Sequence, residues 1–262
     1  MAVVTRARPR IWRPGRWLLV VWFALPLVPL VLWAVANQWA FPAILPQEWG
    51  LRGARTAVEA GAGRAFVAST VLGACVALLA TPAGILAGRA LALHRVPGRG
   101  VAAALLLAPL AFPPFAVAMG LDVLFLRLGV PAFAGVVLIL TVLAIPYTTY
   151  VMRVGFGAYD VRFEEEARVL GASRWFVVCH VQAPLLAAPV ATAAFLAFLV
   201  GWTDYIVTLL IGGGRLVTVP VLVGSFASGT GNQPITAALS VGAVLPPLLL
   251  LVALLALRGR RS

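Results

Sequence analysis

The chain has 262 residues, 62% hydrophobic and only 11% charged, with a mean hydropathy of +1.02. A soluble domain of this size needs far more polar surface to cover its core, so a water-soluble enzyme or binding module is excluded. The formal charge of +12 rests on twenty arginines and no lysine, and a P-loop needs its lysine at the phosphates, so no standard Walker A site is present.

Several apolar runs reach about twenty residues, the length that crosses the hydrocarbon as a helix, and they lack the alternating polarity of barrel strands. The first predicted span covers Trp17–Ala36, behind a cluster from Arg6 to Arg16. A cleaved signal peptide ending at Ala34-Val35-Ala36 is the alternative, but the apolar stretch exceeds a usual signal core and carries Trp17, Trp22 and Trp33 near its ends. Residues 37–63 read as a polar, proline-containing loop with a short interfacial helix near Leu51–Ala60. The second span covers 65–87, followed by a short basic loop with Arg89, Arg95 and Arg99. The third, 101–119, is interrupted by Pro109 and Pro113-Pro114, and the fourth covers 133–152. The longest charged stretch, Arg153 to Arg174, precedes a fifth span over 186–211. A glycine-rich loop then leads to a sixth over 235–257. Pro113-Pro114, Pro146 and Pro246-Pro247 each remove helix hydrogen bonds and are expected to break or kink their spans. Gly84 and Gly88 form a small-xxx-small pair suited to close helix packing.

The fold class is therefore an all-α integral membrane protein with six transmembrane helices. Six spans put both termini on one side, and arginine sorts that side by the positive-inside rule. With cytoplasmic termini, fifteen arginines lie inside and five, Arg52, Arg55, Arg64, Arg127 and Arg215, outside. This gives a basic cytoplasmic N-terminus over 1–16, a six-span core over 17–257 and a basic cytoplasmic tail over 258–262, all in the bacterial inner membrane. Because the arginines are split among segments beside spans, no folded basic face for nucleic acid exists. His94 and His180 are isolated, Cys75 and Cys179 are far apart, and neither a metal site nor a catalytic constellation is read.

One segment, about 159–184, is more organised than a connecting loop requires. Asp160 is a good N-cap, acidic residues complement the helix dipole, and Gly171 can stop the helix in a left-handed conformation. Glu164 and Arg168 are four apart in the favourable order. On a helical wheel Phe163, Ala167 and Leu170 share one arc, opposite Glu164, Glu165 and Arg168. Ser173 can cap a second helix, and Pro184 fits the start of the next span. A helix, a tight glycine turn and a second helix make a docking element for a protein partner or the membrane surface.

The stretch resembles the EAA loop of ABC importer permeases. Glu165-Glu166-Ala167, Gly171 and Val181-Gln182-Ala183-Pro184 fall in that register between the fourth and fifth spans, with Glu166, Val181 and Ala183 as departures. Gly201-Trp202-Thr203-Asp204-Tyr205, Ile211-Gly212-Gly213-Gly214, Thr218-Val219-Pro220 and Phe41-Pro42-Ala43-Ile44-Leu45-Pro46 are similar to the spermidine/putrescine-like branch. The resemblance implies a type I importer permease fold, with a core like the methionine- and maltose-importer permeases. It implies that Glu165 and Glu166 contact a cytoplasmic ABC ATPase dimer, Ala167 packs against it, and Gly171 forms the turn. Further implied partners are a second permease, similar or identical, and a periplasmic or lipid-anchored solute-binding protein. The chain itself would catalyse nothing and hold no cofactor.

Asp204 is the acid most clearly placed in a span, with Tyr205 beside it. It either lines a pathway, or hydrogen-bonds a neighbouring helix, or meets water at the outer boundary. A fixed carboxylate favours a cation, and with the resemblance to the spermidine/putrescine-like branch it implies a polyamine-like substrate, with thiamine, ferric iron, phosphonate or sugar as alternatives. The rival class is an ion-coupled secondary transporter, which would need ionisable residues within spans; only Asp204 and marginally Asp122 qualify.

Overall fold

The computed structural model describes residues 12–40 and 42–259. Most of the expected basic N-terminus, the tail from residue 260, and Phe41 lie outside the described residues. Two compact units divide the chain: the part up to Ala60 with Ser225–Gly242, and Gly61–Gly224 with the part from Ala243 onward.

In the first unit the expected straight span is two helices, α1 (Trp12–Ala24) and α2 (Leu27–Ala34), bent by 49°. Pro26 supplies the reason, since it has no N–H to continue the ladder that ends with Leu25 N–H donating to Val21 O at 2.9 Å. The following segment is not a plain loop. Strands β1 (Ala36–Gln38) and β2 (Glu48–Trp49) pair antiparallel, and Gly50 N–H donates to Val35 O at 2.9 Å. The side chain of Asn37 fills the place where a Cβ on Gly50 would lie, and its Oδ1 accepts from Arg52 N–H at 3.1 Å. That contact starts α3 (Arg52–Glu59), the short helix read from the sequence.

The second unit is built on α4 (Ala62–Leu93), α7 (Ala132–Gly157) and α10 (Ala183–Thr203). Leu72, Val76, Ala80, Val136, Leu140, Ala144 and Ala197 form its buried centre. Glycines bring the three helices together. Gly84 and Gly88 of α4 sit against Thr148 and Met152 of α7, and a Cβ at Gly88 would lie 2.7 Å from the Met152 Cβ. Gly201 of α10 crosses Gly73 so closely that a Cβ there would lie 2.8 Å from the Gly73 Cα. Lipid tails are as apolar as leucine, so helices in a bilayer gain chiefly from such close contact. Thr148 also donates from Oγ1 to Ala80 O at 3.0 Å, tying α7 to α4.

Helices α5 (Arg99–Ala111) and α6 (Pro114–Arg127) occupy the place of the third expected span, bent by 90°. Phe112 is extended, as residues before proline prefer, and Pro113-Pro114 removes two donors in succession. Pro146, by contrast, lies inside unbroken α7, and Pro246-Pro247 inside unbroken α13 (Gln233–Gly259). After α7 come α8 (Arg162–Val169) and α9 (Arg174–Phe176), then a π-helical stretch, Val177–Gln182, that runs into α10. The result is one rod, Arg174–Thr203, of 30 residues. It begins and ends earlier than the expected fifth span, which is broken before α11 (Ile206–Gly212). α12 (Val219–Ala227) starts where Val219 N–H donates to the buried Ser69 Oγ of α4 at 2.8 Å. Among the described residues four helices are long and apolar enough to cross a membrane, and the number rises to six where each bent pair counts as one span.

Gly201→Ala forces the new methyl against backbone that has no rotamer to change. Its midpoint in denaturant is expected to fall by the equivalent of about 1–3 kcal/mol. Gly63→Ala, which meets no atom within 4 Å, leaves stability unchanged or slightly raised. Equal midpoints for the two variants in detergent unfolding would refute the close crossing.

Candidate functional site

Asp160 Oδ1 accepts from Arg162 N–H at 3.0 Å at the entrance to α8, and Glu164 and Glu165 occupy its first turn. The exit is a Schellman arrangement: Gly171 N–H donates to Arg168 O at 3.0 Å and Ala172 N–H to Ala167 O at 3.0 Å. Gly171 has φ +87°, the left-handed region where a Cβ is strained. Ser173 Oγ then accepts from Phe176 N–H at 3.2 Å, starting the long rod. Two helices therefore meet at a turn only glycine occupies without strain.

The apolar arc of α8 is left open, as a docking element requires, and of its charged residues only Glu164 turns inward: Glu164 is 2% exposed, while Phe163 is half exposed and Val169 and Leu170 are each 87% exposed. Glu164 Oε2 accepts from Arg89 Nη2 at 2.9 Å, and Arg168 Nη2 lies 3.6 Å from the same oxygen. Arg89 was expected in a loop, but α4 continues to Leu93 and carries it as a helical residue. Its guanidinium also sits 5.8 Å from the ring centroid of Phe156. Removing one partner of a fully buried ion pair costs about 3–5 kcal/mol, and less where a partner keeps access to water, as Arg89 does at 28% exposure.

Tyr159 lies close to the same carboxylate. Burial first, and then the charge of Glu164, push its phenol up to about 12, so it stays neutral at physiological pH. Its hydroxyl and Glu164 Oε1 are both buried.

On the open side, Glu165 and Glu166 are exposed and Ala167 is half-buried. Arg162, Glu165, Glu166, Val169 and Leu170 border a shallow depression there. The four residues singled out in the loop are thus brought together on one helix and its turn. Glu164 was missed as an internal residue. Its signal lay in the order Glu164…Arg168, but its partner on α4 is 75 residues away.

Asp204 and Tyr205 stand elsewhere, at the break between α10 and α11. Asp204 accepts from Val207 N–H at 3.4 Å, and through Oδ2 from Thr208 N–H and Thr208 Oγ1, each at 2.8 Å. It caps α11, which satisfies donors that lipid could not. Tyr205 packs its ring against Gly224, where a Cβ would lie 2.6 Å away.

Residues 80–260 match the family model described as the binding-protein-dependent transport system inner membrane component. A Salmonella typhimurium protein provisionally named a 2-aminoethylphosphonate transport system permease, PhnV, is 29% identical over 90% of this chain and 89% of its own length. The molybdate/tungstate transport system permease protein WtpB of Thermococcus kodakarensis is 31% identical over 47% of this chain and 49% of its own. A crystal structure of a bacterial ABC transporter involved in the import of the acidic polysaccharide alginate aligns with TM-score 0.61. That alignment covers 96% of this chain and 99% of that one at 18% identity, a likeness of fold. With the family model spanning most of its length, four to six apolar spans and the same fold, the chain belongs to the binding-protein-dependent transport family and is a multi-pass inner-membrane permease subunit of an ABC importer, not an enzyme.

Proposed function

We propose that α8 is the coupling element through which a separate ATPase drives this permease. Glu165 and Glu166 make its polar contacts, Ala167 allows close packing, and Gly171 fixes the turn into the rod. The supporting observation is the exposure of Val169 and Leu170 beside two exposed acids on a helix anchored from its other side by Glu164. An apolar patch rimmed by charge suits a protein partner. In this reading a second permease, similar or identical, completes the pathway, and a solute-binding protein delivers to it.

Because no atom lies within 4 Å of a Cβ at Gly171, a substitution there acts through backbone strain alone. Gly171→Val costs about 1–2 kcal/mol in the left-handed region, and asparagine tolerates that region better. Gly171→Val is expected to insert normally yet lose ATPase-coupled uptake, with Gly171→Asn retaining an intermediate level. Wild-type uptake by Gly171→Val would sink the reading of the turn.

The arginine distribution supports an orientation with α8 and both termini in the cytoplasm. A cysteine at Ser173 should then react with a membrane-impermeant thiol reagent only after permeabilisation. One at Thr230 should react in intact spheroplasts. The opposite pattern overturns the orientation.

For the substrate, an aminoalkylphosphonate is favoured over a polyamine. Support comes from the 29% identity with PhnV across nearly the whole chain. The argument for a cation rested on a free carboxylate at Asp204, and that group is engaged in capping α11. Labelled 2-aminoethylphosphonate and spermidine, offered to the complete transporter with its binding protein, separate the two. Asp204→Asn, which keeps an accepting oxygen, is expected to transport near normally, whereas Asp204→Ala loses about 1 kcal/mol of capping and part of its uptake. Spermidine uptake abolished by Asp204→Asn would restore the cation reading.

A further inference from the structure

Three routes join α8 to the rest of its unit. Its start runs covalently into α7 through residues 158–161, and its end runs covalently through the Gly171 turn into the Arg174–Thr203 rod. The third route is not covalent: the ion pair between Glu164 and Arg89 of α4. Among the described residues, Glu164 is the one buried charged side chain.

We propose that Glu164 is a positioning residue for transport: held by Arg89 and Arg168, its carboxylate ties α8 to α4, so that displacement of α8 reaches the helical core. The proposal rests on the reading of α8 as the coupling element. Both covalent routes contain turns, at residues 158–161 and at Gly171, and turns absorb displacement by rotation. The ion pair contains none. Arg89 projects from a continuous helix that is locked to α7 at Gly84 and Gly88 and to α10 at Gly73. A displacement delivered to Arg89 therefore enters α4 directly, the helix packed against both α7 and α10.

The Tyr159 phenol lies beside the same carboxylate and is buried with it, so Glu164 sits in a small polar cluster with Arg89, Arg168 and Tyr159. Glu165 and Glu166, exposed to solvent, have no comparable internal partner among the described residues.

The test uses the whole transporter, permease with its ATPase, in lipid nanodiscs. Hydrogen exchange is followed at residues 86–99 and 162–172, with and without ATP plus vanadate, alongside co-purification of the ATPase. In the wild type both segments should respond. In Glu164→Gln and Arg89→Gln the response at 162–172 should persist while that at 86–99 falls about tenfold, the scale of typical coupling between sites. The exchange of charges, Arg89→Glu with Glu164→Arg, should restore the response at 86–99. Wild-type behaviour of both single variants overturns the proposal. If the single variants fail to assemble, the charge exchange decides: a response at 86–99 supports the proposal and its absence overturns it. A wild-type complex in which 162–172 never responds would instead remove the coupling reading of α8, and this proposal with it.

Discussion

Between helices in a bilayer there is little water to exclude, so α4, α7 and α10 depend on approaching closely enough for backbone and side chains to touch. Gly73, Gly84, Gly88 and Gly201 make that approach possible, because a Cβ at any of them would strike a neighbour. Everything else in the second unit is arranged around that contact. Arg89 can reach Glu164 because α4 is held straight through Leu93, and Thr148 can bond to Ala80 O because Gly84 leaves it room.

The same environment explains where the few polar groups went. Of the eight acids in the chain, Asp160 caps the entrance of α8, Glu164 pairs with arginine, and Asp204 caps α11. Each satisfies donors or charges that would otherwise be left in an apolar surrounding. Glu165 and Glu166 differ, since they remain exposed at the end of a helix with an apolar rim.

Much of this was legible in the sequence because it is local. The Asp160 cap, the left-handed Gly171 and the Ser173 cap depend on residues within four positions of each other, and each is found where spacing put it. The close packing of Gly84 and Gly88 follows from a four-residue period and holds as well. What failed was non-local or cooperative. A break or kink was expected at three proline sites, and Pro146 and Pro246-Pro247 leave their helices unbroken. Pro113-Pro114 breaks because two donors vanish beside an extended Phe112. Glu164 turned inward because its partner lies on α4, and no periodicity within α8 encodes a residue 75 positions away.

The inward turn of Glu164 bears on how α8 is held. A helix held only by apolar packing is held by contacts that slide, since dispersion has little directional preference. A helix held by a buried carboxylate bonded to a guanidinium on another helix has a defined register, because hydrogen-bond geometry penalises small displacements steeply. Turning Glu164 inward fixes α8 to Arg89 and leaves Val169 and Leu170 exposed. Burial of an ion pair is weak evidence for stability, and a hydrophobic contact could hold α8 as firmly. Retaining the charge makes sense where direction of movement matters more than strength of attachment.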